Sequence, residues 1–296
     1  MSKGLLDPKV DFVFKNIFGS PNHPEILISF LNATLKAKKK IVNVDIKKTD
    51  IEKQYIEDKY SRLDVKATTS NDEIINIEIQ LKNENNMVKR SLYYLSKMYE
   101  EQLNEKEDYS KLVRTVCINI LNFKYLKTDN FHTGYRFKEI ESNEELTDIM
   151  EVHFIEIPKL QDSSDEKDML VAWTEFLKDP ESEKVRGLEL SIEEIRQAKD
   201  ELIRMSNDST QRELYDMRAN SLRDKMSELN AAERKGIEKG REEGREEGRK
   251  EGRKEGIEEG RKEEKIKIAR NMKLSGLDIN TIAKITNLSE DEIDKL

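Results

Sequence analysis

Between Gly236 and Gly260 the chain reads GIEKGREEGREEGRKEGRKEGIEEG, with glycine at every fourth position and mostly charge between. Each glycine costs a helix about 1 kcal/mol against alanine. Opposite charges three residues apart, such as Glu242 with Arg245 and Glu246 with Arg249, return only about 0.2–0.5 kcal/mol per pair. Arg241, Arg245, Arg249 and Arg253 stack like charges four apart. A period of four runs ahead of the 3.6-residue turn, so a glycine seam advances about 40° per repeat and cannot stay straight. The simpler expectation is a solvated, fraying helical linker; the other is a close helix–helix contact through a few of the glycines. The surrounding charges exclude a membrane GxxxG pair.

The composition places the same limit on the whole chain. Of 296 residues, 39% are charged and 35% apolar, too few apolar groups for one compact globule throughout. The formal net charge of −8 argues against nucleic-acid binding by bulk positive charge, while leaving room for a local basic groove. No apolar run approaches membrane-spanning length, and the opening MSKGLLDPKVDF has no signal-peptide core, so a cytoplasmic protein with no membrane partner is expected. Cys117 is the single cysteine, which excludes an intrachain disulfide and fits a reducing compartment. His23, His132 and His153 lack zinc-ligand spacing, so any metal would be a hard cation held by oxygen.

The first half reads as an α/β pattern: a mixed central sheet flanked by helices. PKVDFVFKNIFG and HPEILISFLNATLKAKKK are helical by spacing, IVNVDIKK alternates like a strand, and residues 87–103 form another helix. LVRTVCINILNF reads as a buried strand, followed by strands in HTGYRFKEIE and EVHFIEIPKL. Strand, helix and apolar strand in succession predict a crossover and mixed pairing. Two amphipathic helices follow, with Ser164 and Ser191 as expected N-caps and Trp173 as a core anchor. The expected domains are a core over 1–162, a helical extension over 163–230, the charged glycine-repeat helix or linker over 231–264, and a small helical segment over 265–296. That last segment turns near Asn287 like a helix-turn-helix. Its final helix, SEDEIDKL, is acidic and suits docking or capping better than phosphate contact.

The chemistry concentrates in SRLDVKATTSNDEIINIEIQLK, Ser61–Lys82. Alternation puts Leu63, Val65 and Ala67 on one face and Asp64 and Lys66 on the other. In the next strand Ile75, Ile77, Ile79 and Leu81 share a face, and Asn76, Glu78, Gln80 and Lys82 oppose them. Register decides whether the two acids meet. A two-residue Asn71-Asp72 loop would pair Asp64 with Ile79, on opposite faces. A three-residue loop would pair it with Glu78 or Gln80. Neither turn residue is glycine, which favours the odd-length loop and brings Asp64 and Glu78 within reach of one cation. The acids would otherwise repel and partly protonate. Mg²⁺ would relieve that conflict and could activate a water at a phosphodiester. Gln80 could orient the water and Lys82 neutralise the phosphate. The plainer alternative is a solvent-facing sheet with Asp64 paired to Lys66 or Lys82.

DFVFKNIFG, DKYSRLDVKATTSNDEIINIEIQLK, KRSLYYLSKMYEEQL and VCINILNF together resemble the Rpn family of recombination-promoting nucleases, or putative transposases, within the PD-(D/E)xK superfamily. The charged glycine tail is similar as well. The resemblance implies a restriction-endonuclease-like core and a Mg²⁺- or Mn²⁺-dependent DNA endonuclease acting on double-stranded DNA. It implies Asp64 and Glu78 as metal ligands, with the Ile79 carbonyl as a third. The superfamily lysine is replaced by Gln80, an amide that cannot act as a base, so Gln80 would orient water while substrate, metal or Lys82 assists deprotonation. Lys15, Lys66 and Lys82 are candidate phosphate contacts. Asp11 matches the family's opening motif and would line the cleft with Lys15; the alternative is an i,i+4 ion pair between them. LNEKEDYSKL departs from the glycine turn that the family pattern leads one to expect. Two other functions fit the residues: a non-catalytic DNA-binding or accessory protein on the same fold, and a homo-oligomeric scaffold assembled by the C-terminal helical region.

Overall fold

A computed structural model describes residues 4–36, 39–47, 65–165 and 167–296. They form two compact units, Met1–Arg223 and Asp224–Leu296. The first holds helices α1 (Asp11–Phe18) and α2 (Pro24–Leu35), then strands β1 (Val44–Lys47), β2 (Val65–Thr69) and β3 (Ile74–Gln80). Helix α3 (Met87–Glu100) leads to β4 (Thr115–Leu121), β5 (His132–Lys138) and β6 (Glu145–Glu156). Helices α4 (Met169–Lys178), α5 (Glu183–Glu189) and α6 (Glu193–Asn207) follow.

The six strands form one mixed sheet in the order β1-β2-β3-β4-β6-β5. The β1/β2, β2/β3 and β5/β6 pairs are antiparallel, whereas β3/β4 and β4/β6 are parallel. The parallel β3/β4 pair is the crossover expected from the strand–helix–strand pattern, with α3 as its connection. A central parallel strand is covered on both faces, and all seven residues of β4 are buried.

The two faces carry different cores. On one, Val65, Ala67, Ile75, Ile77, Ile79, Val116, Ile118 and Ile120 join the apolar sides of α1, α2, α4 and α6. Phe18 stacks on Phe14 at 4.6 Å and meets Trp173 edge-on at 5.3 Å. Trp173 is fully buried, and its indole N–H donates to Ser29 Oγ at 3.2 Å. On the other face, Met87 and Leu95 of α3 pack on Cys117, Leu121, Val152 and Phe154.

Local capping departs from expectation at two helices. Asp168, not Ser164, caps α4, accepting from Leu170 N at 2.8 Å. Ile192 occupies the cap of α6 without a side-chain bond, leaving Ser191 one residue outside. In the turn expected to carry glycine before β4, Lys106 takes the left-handed conformation at φ 70°.

Helix α7 (Ser209–Leu274) runs unbroken for 66 residues. The glycine repeat lies inside it as helix, with every residue from 236 to 260 exposed, as a solvated helical linker would be. Ion pairs four apart, Lys239–Glu243 at 3.6 Å and Glu246–Lys250 at 2.7 Å, offset part of the glycine penalty. Beyond it, α8 (Ile279–Thr286) and α9 (Glu290–Asp294) enclose a small core of Ala269, Ile282, Leu288 and Ile293. Asn287 turns the chain at φ 57°, and a reciprocal Ser289–Glu292 capping box starts α9. Among the described residues no helix is long and apolar enough to cross a membrane.

Candidate active site

β3 alternates isoleucine with polar residues, and the sheet uses both sides of that alternation. Ile75, Ile77 and Ile79 enter the larger core. Asn76 and Glu78 face α3, beside Cys117 and Asn119 of β4. α3 then seals this polar side, so Asn76 is fully buried and Glu78 is 1% exposed. A carboxylate withdrawn from water this far needs compensation. Glu78 Oε2 accepts from Arg90 Nε at 3.3 Å, and Oε1 is 3.5 Å from Asn76 Nδ2. Burial pushes the Glu78 carboxyl above its ordinary range, against the opposing pull of Arg90 and Asn76.

The surroundings are polar but unequally satisfied. Asn119 donates to the His153 carbonyl at 3.1 Å, and its Oδ1 lies 2.8 Å from Ser91 Oγ. Among the described residues Asn76 Oδ1 is buried without a hydrogen-bond partner. Burial, then the neighbouring Glu78 charge, pushes the Cys117 thiol up to about 12. It therefore stays protonated at neutral pH and is no nucleophile.

The hairpin loop has three residues, Ser70 to Asp72. Thr69 N donates to Glu73 O at 2.9 Å, and Asp72 takes φ 61°, the three-residue pattern with a left-handed last position. Its register pairs Val65 with Ile77 and Lys66 with Asn76. Lys66 thus shares the Glu78 face, where its Nζ lies 3.8 Å from Glu101. Asp64 lies outside the described residues. Ile79 points its side chain into the opposite core. Gln80 ends β3 half-buried, its carbonyl accepting from Asn122 N at 2.9 Å, and Lys82 is half-buried just beyond. Asp11 opens α1 and accepts from Phe12 N at 2.7 Å. Neither Asp11 nor Lys15 makes an ion pair among the described residues, so the i,i+4 pair between them is not formed. The helix end that carries Lys15 abuts β2: a Cβ on Gly19 would stand 2.6 Å from the Lys15 carbonyl and 3.3 Å from Val65.

The sequence alone assigns no role to Arg90 or Asn119, although Arg90 lies within KRSLYYLSKMYEEQL. The usable signal was a polar side chain at each of two central-strand positions, Asn76 and Asn119, where an apolar residue would otherwise be expected. A hard cation matches the donor chemistry in kind, since Glu78 offers a carboxylate and Asn76 an unpartnered amide oxygen. In number the described donors fall short: among the described residues no three Asp, Glu, His or Cys side chains could hold a metal ion together.

A second polar cluster lies on the opposite face, towards the start of the parallel strands. Arg114 pairs with both Glu73 and Glu151, and Arg136 pairs with Glu151 at 3.1 Å. His153 lies 2.8 Å from Glu151, and His132 Nε2 lies 2.9 Å from His153 Nδ1. Burial alone would raise Glu151, but His153, Arg114 and Arg136 hold it at about 2. Burial and the adjacent His153 push His132 down to about 4.

Comparison with known families gives two matches. Residues 8–232 match the PD-(D/E)XK nuclease family transposase description, and residues 262–296 match the C-terminal HTH domain of the Rpn/YhgA-like nuclease family. No curated protein and no solved structure matched. The first match spans most of the chain, including the sheet, α3 and the buried Glu78. The chain belongs to the PD-(D/E)XK nuclease family transposases.

Proposed function

We propose that this chain is a Mg²⁺- or Mn²⁺-dependent endonuclease that hydrolyses phosphodiester bonds in double-stranded DNA, with Asp64 and Glu78 as its metal-binding acids. The observation that carries the reading is Glu78, a sealed carboxylate on a central strand, held among the described residues by one arginine and the Asn76 amide, whose oxygen has no described partner. Such under-compensated buried charge concentrates at functional sites. The three-residue loop and the Lys66–Asn76 pair support the register on which the reading depends. The reading places Asp64 opposite Glu78, one step past the Val65–Ile77 pair.

Asp64, Glu78 and the Ile79 carbonyl would hold the ion. When bound, a divalent ion supplies an acidified water and neutralises charge on the phosphodiester. Gln80 orients that water through its amide and takes no proton. Lys66, which shares the Glu78 face, Lys82 and Lys15 would meet phosphate, although the helix end that carries Lys15 packs on Val65, on the other face. The match of residues 262–296 to an HTH domain supports DNA as the substrate. The same match, with Arg90 already seated on Glu78, favours one second reading: a non-catalytic DNA-binding protein on this fold.

Plasmid cleavage in Mg²⁺ or EDTA, by wild type and Glu78→Gln, separates the two. The endonuclease reading expects cleavage only by wild type with Mg²⁺. DNA binding that is sensitive to salt, insensitive to EDTA and without cleavage would establish the second reading instead.

A further inference from the structure

We infer that Tyr135 and Phe137 of the edge strand β5 form a stacking platform for unpaired DNA bases, so that the substrate is a duplex interrupted by a single-stranded segment. This rests on the reading above that the chain acts on DNA, and it needs no bound ion.

The platform continues the face that carries Glu78. Glu78, Asn119 and Phe154 lie in register across β3, β4 and β6. Neighbouring strands stand about 4.8 Å apart, which puts Phe154 about 10 Å from Glu78 along that row. Rings then extend the row outward. Tyr125 lies 6.4 Å from Phe154, and Tyr135 lies 6.1 Å from it at 76°. The Tyr125 hydroxyl accepts from Val88 N at 3.3 Å, which ties this row to the start of α3. Phe154 is buried, but Tyr135 is 48% exposed and Phe137 51%. The register shifts between β5 and β6 add residues to β6, where Tyr135 and Phe137 face Val152 and Thr147. β5 therefore keeps its alternation, and its two rings share a side. Arg136, between them, turns to the other face, where Glu145 and Glu151 hold it.

Exposed rings on an edge strand are a liability unless something covers them. Bases fit them, because every base has a flat face and stacks regardless of sequence. The charges agree with a nucleic-acid strand laid in one direction. Lys124 and Lys127 flank Tyr125, are exposed, and form no ion pair among the described residues. At the far end the β5–β6 turn carries the exposed acids Glu139, Glu141 and Glu144. Phosphates are drawn to the lysine end, beside α3, and repelled from the turn. In an unbroken duplex the bases stack on one another and offer no free face to the rings; an unpaired segment does.

Binding of the full-length protein to fluorescent DNA in EDTA tests this apart from any metal. A duplex with a short central bubble containing 2-aminopurine should bind at least about tenfold tighter than the fully paired duplex of equal length. The 2-aminopurine emission should be quenched as the base stacks. Tyr135→Leu combined with Phe137→Leu keeps apolar bulk and removes the rings, so the preference should fall to about twofold or less, while Tyr135→Phe keeps it. Equal affinity of wild type for both DNAs, or a preference that survives in the double variant, overturns the platform. A wild-type dimer that the double variant no longer forms, by light scattering, assigns the rings to a second copy and overturns it as well. A wild type that neither binds nor cleaves either DNA defeats the DNA reading itself.

Discussion

Glu78 and Glu151 are both buried carboxylates of one sheet, on opposite faces, and they are treated in opposite ways. Glu151 is shared by Arg114, Arg136 and His153 and is driven to about 2. Among the described residues Glu78 has one side-on arginine and a distant amide, and its carboxyl is raised. The fold can evidently satisfy a buried acid completely, because it does so within the same sheet. Leaving Glu78 short is therefore a property of that position rather than of the architecture. Full pairing serves stability, while incomplete pairing leaves coordination capacity for something else.

Substitution of each acid by its amide is the strongest way to break this contrast. Glu151→Gln leaves Arg114 and Arg136 partly buried without their shared partner. It should destabilise by about 3–5 kcal/mol, the usual cost of breaking a buried pair, as read by urea unfolding. Glu78→Gln should abolish cleavage, by at least about a hundredfold, and leave unfolding free energy unchanged or higher, since it removes an under-compensated charge. Equal loss of stability in the two variants would erase the distinction.

The pH dependence of stability sharpens the contrast next. His132 is lowered from 6.5 to about 4, so its contribution is present above pH 6.5 and lost as pH falls towards 4. At about 1.4 kcal/mol per unit, this reaches about 3 kcal/mol. Glu78 is raised above 4.5 and has the opposite sign: its contribution is present below pH 4.5 and lost as pH rises through its folded value. Melting between pH 7.5 and 4 should therefore show the acid loss flattened in His132→Gln and steepened in Glu78→Gln. An unchanged slope in His132→Gln would remove the histidine pair from the account.

Much of this could be read in the chain, and what could not has a physical reason. TVCINIL announces a buried central strand because every position is apolar or compact, apart from the asparagine that marks the polar face. From Ile75 onward the alternation of β3 assigns Asn76 and Glu78 to one side, and the absence of glycine at Asn71 and Asp72 favours the three-residue loop that forms. Arg90 was not legible as the partner of Glu78, because the rotation of α3 over the sheet is set by packing of Met87 and Leu95 rather than by local sequence. The histidines illustrate the same gap. His132 and His153 are 21 residues apart, and only the β5/β6 register, which sets Gly134 against His153, brings their rings together. The length of α7 exceeded what glycine propensity implies, since propensity per residue says little about a helix continued from both ends.

The two asparagines give the smallest and most local test. Asn119 is satisfied on both sides, donating to the His153 carbonyl at 3.1 Å and facing Ser91 at 2.8 Å. Asn119→Leu removes the side-chain donor to the buried His153 carbonyl, while Ser91 Oγ keeps the Met87 carbonyl at 2.8 Å, and should cost about 1–3 kcal/mol. Among the described residues Asn76 has a buried oxygen with nothing to bond, and its amide N–H has only long approaches, 3.5 Å to Glu78 and 4.0 Å to Cys117 Sγ. Asn76→Leu fills similar space and removes that unmet acceptor, so its effect on unfolding should stay within about 1 kcal/mol. Mn²⁺ affinity should move the other way, falling in Asn76→Leu more than in Asn119→Leu. If Asn76→Leu proves the more destabilising of the two, its oxygen is satisfied in solution, and Glu78 belongs with Glu151 as a structural acid.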